Sequence, residues 1–310
     1  MNEIELIAQL TKSLPTNAWV ITGAGDDCAV LDSGQPNRCL LLKTDAVVEG
    51  IHFLPETQAE QIGHKALARC LSDIAAMAGR PIAALVTIAL PKKFDPDFVK
   101  KIYDGMSQLA ERHGVAIVGG ETTTNPERML ISISLLGDVA KDKCLLRSGA
   151  KASDAIFVTG ELGGSLAAKH LEFEPRLSEA RWLADHFSVH AMIDLSDGLA
   201  SDLRHILHQS KTGAEIFSKS IPISRAAKLR ARAESSAKPP LLAALSDGED
   251  FELLFTVSSR DAVPLLDAWK KQFPKLKLSC IGKITAAPGL NLRDENGVRI
   301  LQSHGYVHFA

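Results

Sequence analysis

Carboxylates recur along this chain in short groups flanked by glycine or hydroxyl residues: Gly25-Asp26-Asp27, Thr44-Asp45, Ser72-Asp73, Gly119-Gly120-Glu121 and Asp194-Leu195-Ser196-Asp197-Gly198. Each group adjoins an apolar run, so the acids are expected at the ends of strands or helices, where side chains from distant segments converge. Gathered carboxylates repel one another unless a cation lies between them. An all-oxygen set, with no Cys or His at ligand spacing, suits Mg²⁺ or Mn²⁺ better than zinc. Mg²⁺ typically links protein carboxylates to substrate phosphates at about 2.1 Å. The expected chemistry is metal-assisted phosphoryl transfer.

Other motifs read two ways. Gly23-Ala24-Gly25-Asp26-Asp27 begins like a dinucleotide loop, but it lacks the third glycine and puts acids where a bare pyrophosphate would approach. A plain turn is the alternative. Gly160-Glu161-Leu162-Gly163-Gly164-Ser165 offers backbone N–H groups to a phosphate or serves as a strand-to-helix turn, and it has no Walker ending. The stretch 245–253 concentrates Asp247, Glu249, Asp250 and Glu252 before an apolar run, as binding acids or as a solvated turn. Asp202, His205 and His208 share one helix face, which exposed polar residues explain without a metal.

The elements that must hold these groups follow from periodicity. Apolar spacing predicts helices over 3–14, 59–77 and 98–110, and strands over 39–42, 81–90, 115–118 and 129–139. A polar, glycine-containing passage at 141–150 divides the chain into an N-terminal domain, 1–145, and a C-terminal one, 146–310. In the second, strands are expected at 155–158, 253–257 and 278–284, and helices at 199–207 and 263–269. Consecutive strands and grouped helices favour an α+β fold, two α/β domains of mixed sheets with helices packed on one face. The basic, alanine-rich stretch 225–240 reads as an exposed helix rather than a nucleic-acid arm.

Composition narrows the setting. The chain has 310 residues, 45% hydrophobic, with a formal net charge of -2, which gives no long-range bias toward nucleic acid or anionic membrane. The acidic, amphipathic N-terminus and the lack of a long apolar run point to a cytoplasmic protein. Five scattered cysteines without a CxxC pair suit reduced structural thiols.

The joint order of motifs is more specific than any one of them. Gly25-Asp26-Asp27, Lys43-Thr44-Asp45 through Gly50-Ile51-His52-Phe53, and Lys65 through Ser72-Asp73-Ile74-Ala75-Ala76-Met77 come first. Gly119-Gly120-Glu121-Thr122-Thr123, Arg147-Ser148-Gly149-Ala150, Ile193 through Leu199, and Gly248-Glu249-Asp250-Phe251-Glu252-Leu253 follow. In this order the chain closely resembles the thiamine-monophosphate kinase family, almost end to end. That family belongs to the aminoimidazole-ribonucleotide-synthetase-like superfamily, whose members handle ATP with two α/β domains and pair their N-terminal domains as a homodimer. The resemblance implies that Asp27, Thr44, Asp45, Asp73, Glu121, Asp194 and Asp197 hold several Mg²⁺ ions. It implies that Gly120, Arg147 and Ser196 contact ATP, and that His52, Glu249, Asp250 and Ser303 face the acceptor. The implied reaction moves the ATP γ-phosphoryl group to thiamine monophosphate, giving thiamine diphosphate and ADP. An acceptor phosphate is already anionic near neutral pH, so alignment and charge neutralisation replace a general base.

Departures from the family pattern fall at four places. Glu121 stands where Asp is usual, and Lys43 stands where a small hydroxyl residue is usual, so its ammonium replaces a metal or contacts a phosphate. Ser303-His304-Gly305-Tyr306 lacks the tryptophan that commonly precedes Gly-Tyr, and the stretch between Ser165 and His170 is short. A related Mg-ATP enzyme with a different small-molecule acceptor, or a non-catalytic nucleotide-binding module, are the alternatives these departures leave open.

Overall fold

The computed structural model describes residues 3–234 and 236–302 and divides into two units. Ala18–Cys144 and His170–Leu177 form the first, and the other described residues form the second.

The chain opens on α1 (Glu3–Thr11). There follow β1 (Val20–Thr22), β2 (Ala29–Asp32), β3 (Arg38–Val48), α2 (Ala59–Ala76), β4 (Arg80–Leu90), α3 (Pro96–His113), β5 (Ala116–Thr124) and β6 (Leu130–Ala140). The six strands make one sheet in the order β1-β2-β3-β6-β4-β5, antiparallel except for the β4–β5 pair. Alternation along the strands decides which face is covered. Cys39 and Leu41 of β3, Ile131, Ile133 and Leu135 of β6, and Ala84, Val86 and Ile88 of β4 are buried. Helix α2 packs against this sheet and buries Leu67, Leu71 and Ile74 completely. The opposite face carries Leu42 and Leu85, which are 45% and 49% exposed.

Helix α3 begins where local chemistry says it should: the Asp95 carboxylate accepts the Asp97 N–H at 2.9 Å, and Pro96 fills the first helical position. It crosses α2 at paired glycines. A side chain on Gly63 would strike the Ile102 carbonyl, and one on Gly105 would strike the Glu60 backbone, so the two helices touch backbone to backbone.

Two strands run further than the apolar pattern indicates. Strand β3 pairs with β6 from Arg38 opposite Ala140 to Val48 opposite Leu130, so Thr44 and Asp45 lie inside the strand rather than beyond its end. Strand β5 likewise continues through Gly119, Gly120 and Glu121 to Thr124. The ladder is made by backbone groups, which polar side chains do not interrupt when their face is open or partnered.

His170–Leu177 returns to the first unit, and side chains of α2 and α3 fasten it there. Lys65 Nζ lies 2.7 Å from His170 Nδ1, and Gln61 donates to Glu172 at 2.6 Å. His64 Nε2 sits 2.8 Å from the Phe173 carbonyl, while Arg112 and His113 both reach Glu174 at 2.9 Å.

Apart from Lys169, helix α4 (Lys169–Glu172) belongs to this returning segment, and the second unit is built from β7 (Ala155–Thr159), α5 (Leu177–His186), β8 (Val189–Asp194), α6 (Leu199–Ser210) and β9 (Gly213–Phe217). It continues with α7 (Arg225–Ala233), α8 (Pro240–Ser246), β10 (Leu253–Val257), α9 (Ala262–Gln272), β11 (Leu278–Thr285), β12 (Gly289–Asp294) and β13 (Gly297–Ile300). Its sheet runs β13-β12-β9-β11-β7-β10-β8, with only β12–β9 parallel among these pairs. Ile156, Val158, Ile193, Leu254 and Ile281 share a core with Leu199, Leu203 and Ile206 of α6. Phe157 and Phe255 stack on neighbouring strands with ring centres 5.6 Å apart, and Trp269 packs on Phe273 at 4.6 Å. Strands β7 and β10 are buried at every residue, which matches sequences that are apolar except for Thr159 and Thr256. Both sheets are mixed and helix-backed, the α+β class expected. Among the described residues no helix is long and apolar enough to cross a membrane.

Candidate active site

In the first unit, the covered side of the sheet collects charge where β3 meets α2. Lys43 and Asp45 lie opposite the buried Leu135 and Ile133 of β6, so both point to the α2 side, while Thr44 between them points away. Lys43 Nζ donates to Asp73 Oδ1 at 2.8 Å. One helical turn earlier, Arg69 Nε and Nη2 donate to the two Asp45 oxygens at 3.1 and 3.3 Å. Arg69 was legible as a companion of Asp73, since residues four apart share a helix face. Asp27, between β1 and β2, is buried, and one of its carboxylate oxygens lies within 4.8 Å of one from Asp73. Burial pulls the Lys43 ammonium's pKa down, but the charges of Asp73 and Asp45 outweigh it and hold the value above its ordinary one, so the side chain is cationic.

Thr44 and Glu121 belong to the other face. Thr44 Oγ1 lies 3.5 Å from the hydroxyls of both Ser132 and Ser134. Glu121 is exposed on the edge strand β5, in line across the sheet with Thr87, Ser132 and Ala46. Three strand spacings of about 4.8 Å put it roughly 14 Å from β3. Within one chain Glu121 is therefore not brought to the Asp27–Asp73 pair. Gly120, at φ 155°, presses its backbone on β4, where any side chain would overlap the Val86 carbonyl.

His52 follows β3 and folds back on it. Its Nδ1 accepts the Val48 N–H at 3.1 Å, which puts the ring hydrogen of the neutral form on Nε2. Its carbonyl accepts from Lys65 Nζ at 2.6 Å, and Lys65 is fully buried. The sequence signal for Lys65 was a charge inside the apolar stripe of α2.

In the second unit the acids of two loops are laced together. Asp194 ends β8 and is buried, and Ser196 and Asp197 follow it. Leu195 N donates to the Glu252 carbonyl at 2.8 Å, Phe251 N to the Leu195 carbonyl at 2.8 Å, and Glu249 N to the Ser196 carbonyl at 2.7 Å. Glu249 and Phe251 adopt φ of 53° and 50°, a region unfavourable to side chains and sustained by this lacing. Both Asp250 oxygens accept the Gly163 N–H at 3.0 Å, and Asp247 accepts the Gly164 N–H at 3.1 Å and Arg230 at 2.6 Å. Glu252 accepts the Thr159 hydroxyl at 2.7 Å and Lys169 at 2.8 Å. Of the glycine N–H groups that the sequence offered to a phosphate, those of Gly163 and Gly164 are thus taken by the protein's own carboxylates, and that of Gly160 donates to the Lys277 carbonyl at 2.8 Å. Burial raises the Asp250 carboxyl to about 7.

Asp202 closes the turn before α6. Its Oδ2 accepts the N–H groups of Asp197 and Gly198, both at 3.1 Å. Burial, then the charges of Asp197 and Asp194, push its pKa well above the ordinary carboxyl value. Side-chain atoms of Asp197, Asp202 and His205 lie within 4.8 Å of one another. The Arg147 carbonyl accepts the Ser210 hydroxyl at 3.3 Å. Ser303 lies outside the described residues.

Residues 25–139 match the family model for AIR synthase related protein, N-terminal domain, and residues 137–295 match its C-terminal domain. The thiamine-monophosphate kinase of Rhodopirellula baltica is 41% identical over 90% of this chain and 87% of its own length. That of Bacillus subtilis is 33% identical, with 100% of each chain covered. The chain belongs to the thiamine-monophosphate kinase family. Among solved structures, AaThiL complexed with AMPPCP and TMP matches at a TM-score of 0.82 and 28% identity, over 99% of this chain and 97% of that one. For a member of the thiamine-monophosphate kinase family, the donor chemistry fits a hard divalent cation. Asp27 and Asp73 offer adjacent carboxylate oxygens, the ligand type that Mg²⁺ and Mn²⁺ prefer.

Proposed function

We propose that this chain transfers the γ-phosphoryl group of ATP to the phosphate of thiamine monophosphate with Mg²⁺ as its metal. The observation that carries the reading is the Asp27–Asp73 carboxylate pair, in a chain whose two halves match the two AIR synthase related domains. Mg²⁺, when bound, supplies the positive charge that lets two polyanions approach and neutralises the transferring group.

The protein's own residues divide the work. Asp27, Asp45 and Asp73 hold metal in the first unit, Thr44 and Glu121 on the opposite sheet face, and Asp194 and Asp197 in the second. Gly120, Arg147 and Ser196 contact ATP. Glu249 and Ser303 face the acceptor, and His52, with its neutral-ring hydrogen on Nε2, is suited to donate a hydrogen bond to an acceptor oxygen. Asp250, turned inward onto Gly163, supports the Glu249 loop from behind. The thiamine monophosphate phosphate is anionic near neutral pH, so the site needs positioning groups rather than a base.

The active form is a homodimer in this reading. The exposed Leu42 and Leu85 give a second copy an apolar sheet face to cover, and Glu121 stands too far from Asp45 to act with it in one chain. The cytoplasm is the compartment that supplies ATP and suits five free cysteines.

The test is direct: incubate the purified protein with Mg-ATP and thiamine monophosphate and separate the products. Thiamine diphosphate and ADP should form in equal amounts and vanish with excess chelator. Absence of thiamine diphosphate overturns the assignment, and ADP release without it shifts the assignment to another acceptor.

A further inference from the structure

Lys43 sits where a cation is wanted. Its Nζ is 2.8 Å from Asp73 Oδ1, and the two side chains are only 22% and 10% exposed. Asp73 in turn lies beside the buried Asp27. A carboxylate pair of this kind needs compensation whether or not metal is present, and here one unit of positive charge is already covalently built into β3. Asp45, two residues further along β3, points to the same covered side of the sheet.

From this we infer that Lys43 is a resident counter-cation that takes the place of one divalent ion at Asp73 and remains there when nucleotide and metal bind. The inference rests on the phosphoryl-transfer reading above for the identity of the metal, but its test does not depend on turnover. An ammonium on Asp73 Oδ1 repels a divalent ion brought to that same oxygen and takes one of its lone-pair directions, so metal held by Asp73 is limited to the carboxylate's other oxygen. The ammonium also lacks the octahedral demands of Mg²⁺ and is already desolvated in the folded chain, so it holds Asp73 in one rotamer before substrate arrives. Its role is positioning and charge compensation, and the remaining divalent ions are fewer by one than Asp27, Asp45 and Asp73 would otherwise admit.

The experiment counts Mn²⁺ bound per chain by electron paramagnetic resonance, with the protein saturated by a non-hydrolysable ATP analogue. Lys43→Ser should bind one more Mn²⁺ than the unaltered protein, and Lys43→Arg, which keeps the charge, should restore the lower count. Superimposable Mn²⁺ titrations for all three overturn the proposal. A second measurement needs no variant beyond one for assignment: the ζ-¹⁵N resonance of Lys43 followed during a titration with Mg²⁺ and the analogue. A signal that keeps its paired, slowly exchanging character supports the inference, and one that moves to the range of solvent-exposed lysines shows that metal displaces Lys43 and overturns it. Should the protein fail to make thiamine diphosphate while these metal counts still differ, the substrate assignment fails and the counter-cation stands.

Discussion

The acids around β3 and α2 in the first unit and those of residues 247–252 in the second are alike in sequence, yet their carboxylates find different kinds of partner. Around β7, α8 and the 248–252 loop, carboxylate oxygens are committed to glycine N–H groups, a threonine hydroxyl and the side chains of Lys169 and Arg230. Removing any of these acids strands a buried donor. Around β3 and α2, Asp45 and Asp73 are matched instead by the side-chain tips of Arg69 and Lys43. Backbone donors are fixed by the fold and make a carboxylate part of the architecture. Side-chain cations pair with a carboxylate from one side and leave its other lone pairs to a ligand.

From that contrast, the largest effect on catalysis and the largest effect on stability should fall on different units. Asp73→Asn should lower kcat for thiamine diphosphate formation by about 100- to 1,000-fold, the scale for losing a charge-stabilising group at a phosphoryl-transfer centre. The thermal midpoint should move little, because the amide oxygen still accepts from Lys43. Steady-state kinetics and a melting curve on the same sample decide it; a collapsed midpoint with proportionate activity loss would assign Asp73 to the architecture as well.

Glu252→Ala is the mirror experiment. It leaves Thr159 and Lys169 facing an empty, buried position, which should cost about 3 kcal/mol in denaturant unfolding. Mn²⁺ binding by the folded fraction should be unchanged. A variant as stable as the parent would remove the distinction between the two acid sets.

The sheet and helix layers were readable because burial follows period: the buried faces of β4 and β6 and the near-continuous apolar runs of β7 and β10 are written in residue types. The order of acidic motifs was readable too, and it carried the family. What the sequence did not disclose was partnership. Asp250 and Glu249 are neighbours in one motif, but one carboxylate is turned onto Gly163 while its neighbour's backbone holds φ of 53°, and only the fold tells them apart. Thr44 and Asp45 likewise form one motif and lie on opposite faces, because strand alternation acts on a strand that the apolar pattern ended too early. Lys43 reads as an oddity in sequence and as Asp73's partner in space, since nothing in linear order links positions thirty residues apart.

A smaller effect probes an acid that straddles the two behaviours. Asp202 accepts two backbone N–H groups, as architectural acids do, but the turn it closes carries Ser196 and Asp197. Asp202→Ala should raise the KM for ATP by about tenfold, a scale typical of residues that orient a ligand-bearing group, with kcat less affected. Asp202→Asn, which retains an acceptor, should recover most of the loss. Equal damage from both variants would mean that its charge matters rather than the turn.

The last contrast is a pH slope, small at any one pH step. Asp250 has a folded-state pKa of about 7 against an ordinary 3.8, raised first by burial. Between roughly pH 4 and pH 7 the folded chain therefore keeps a proton that the unfolded chain has released. Stability from this group is complete at low pH and declines as pH rises through that window, by at most about 1.4 kcal/mol per unit, and is flat above it. The sign is opposite to that of a carboxylate paired with a cation, whose contribution is lost on acidification. Asp250→Asn removes the titration while keeping an oxygen for the Gly163 N–H. The difference between parent and variant unfolding free energies should thus fall steadily from pH 4 to pH 7, with the parent losing ground. A difference that is constant with pH would place the Asp250 charge in a better-compensated setting and bring it closer to the cation-paired acids of the first unit.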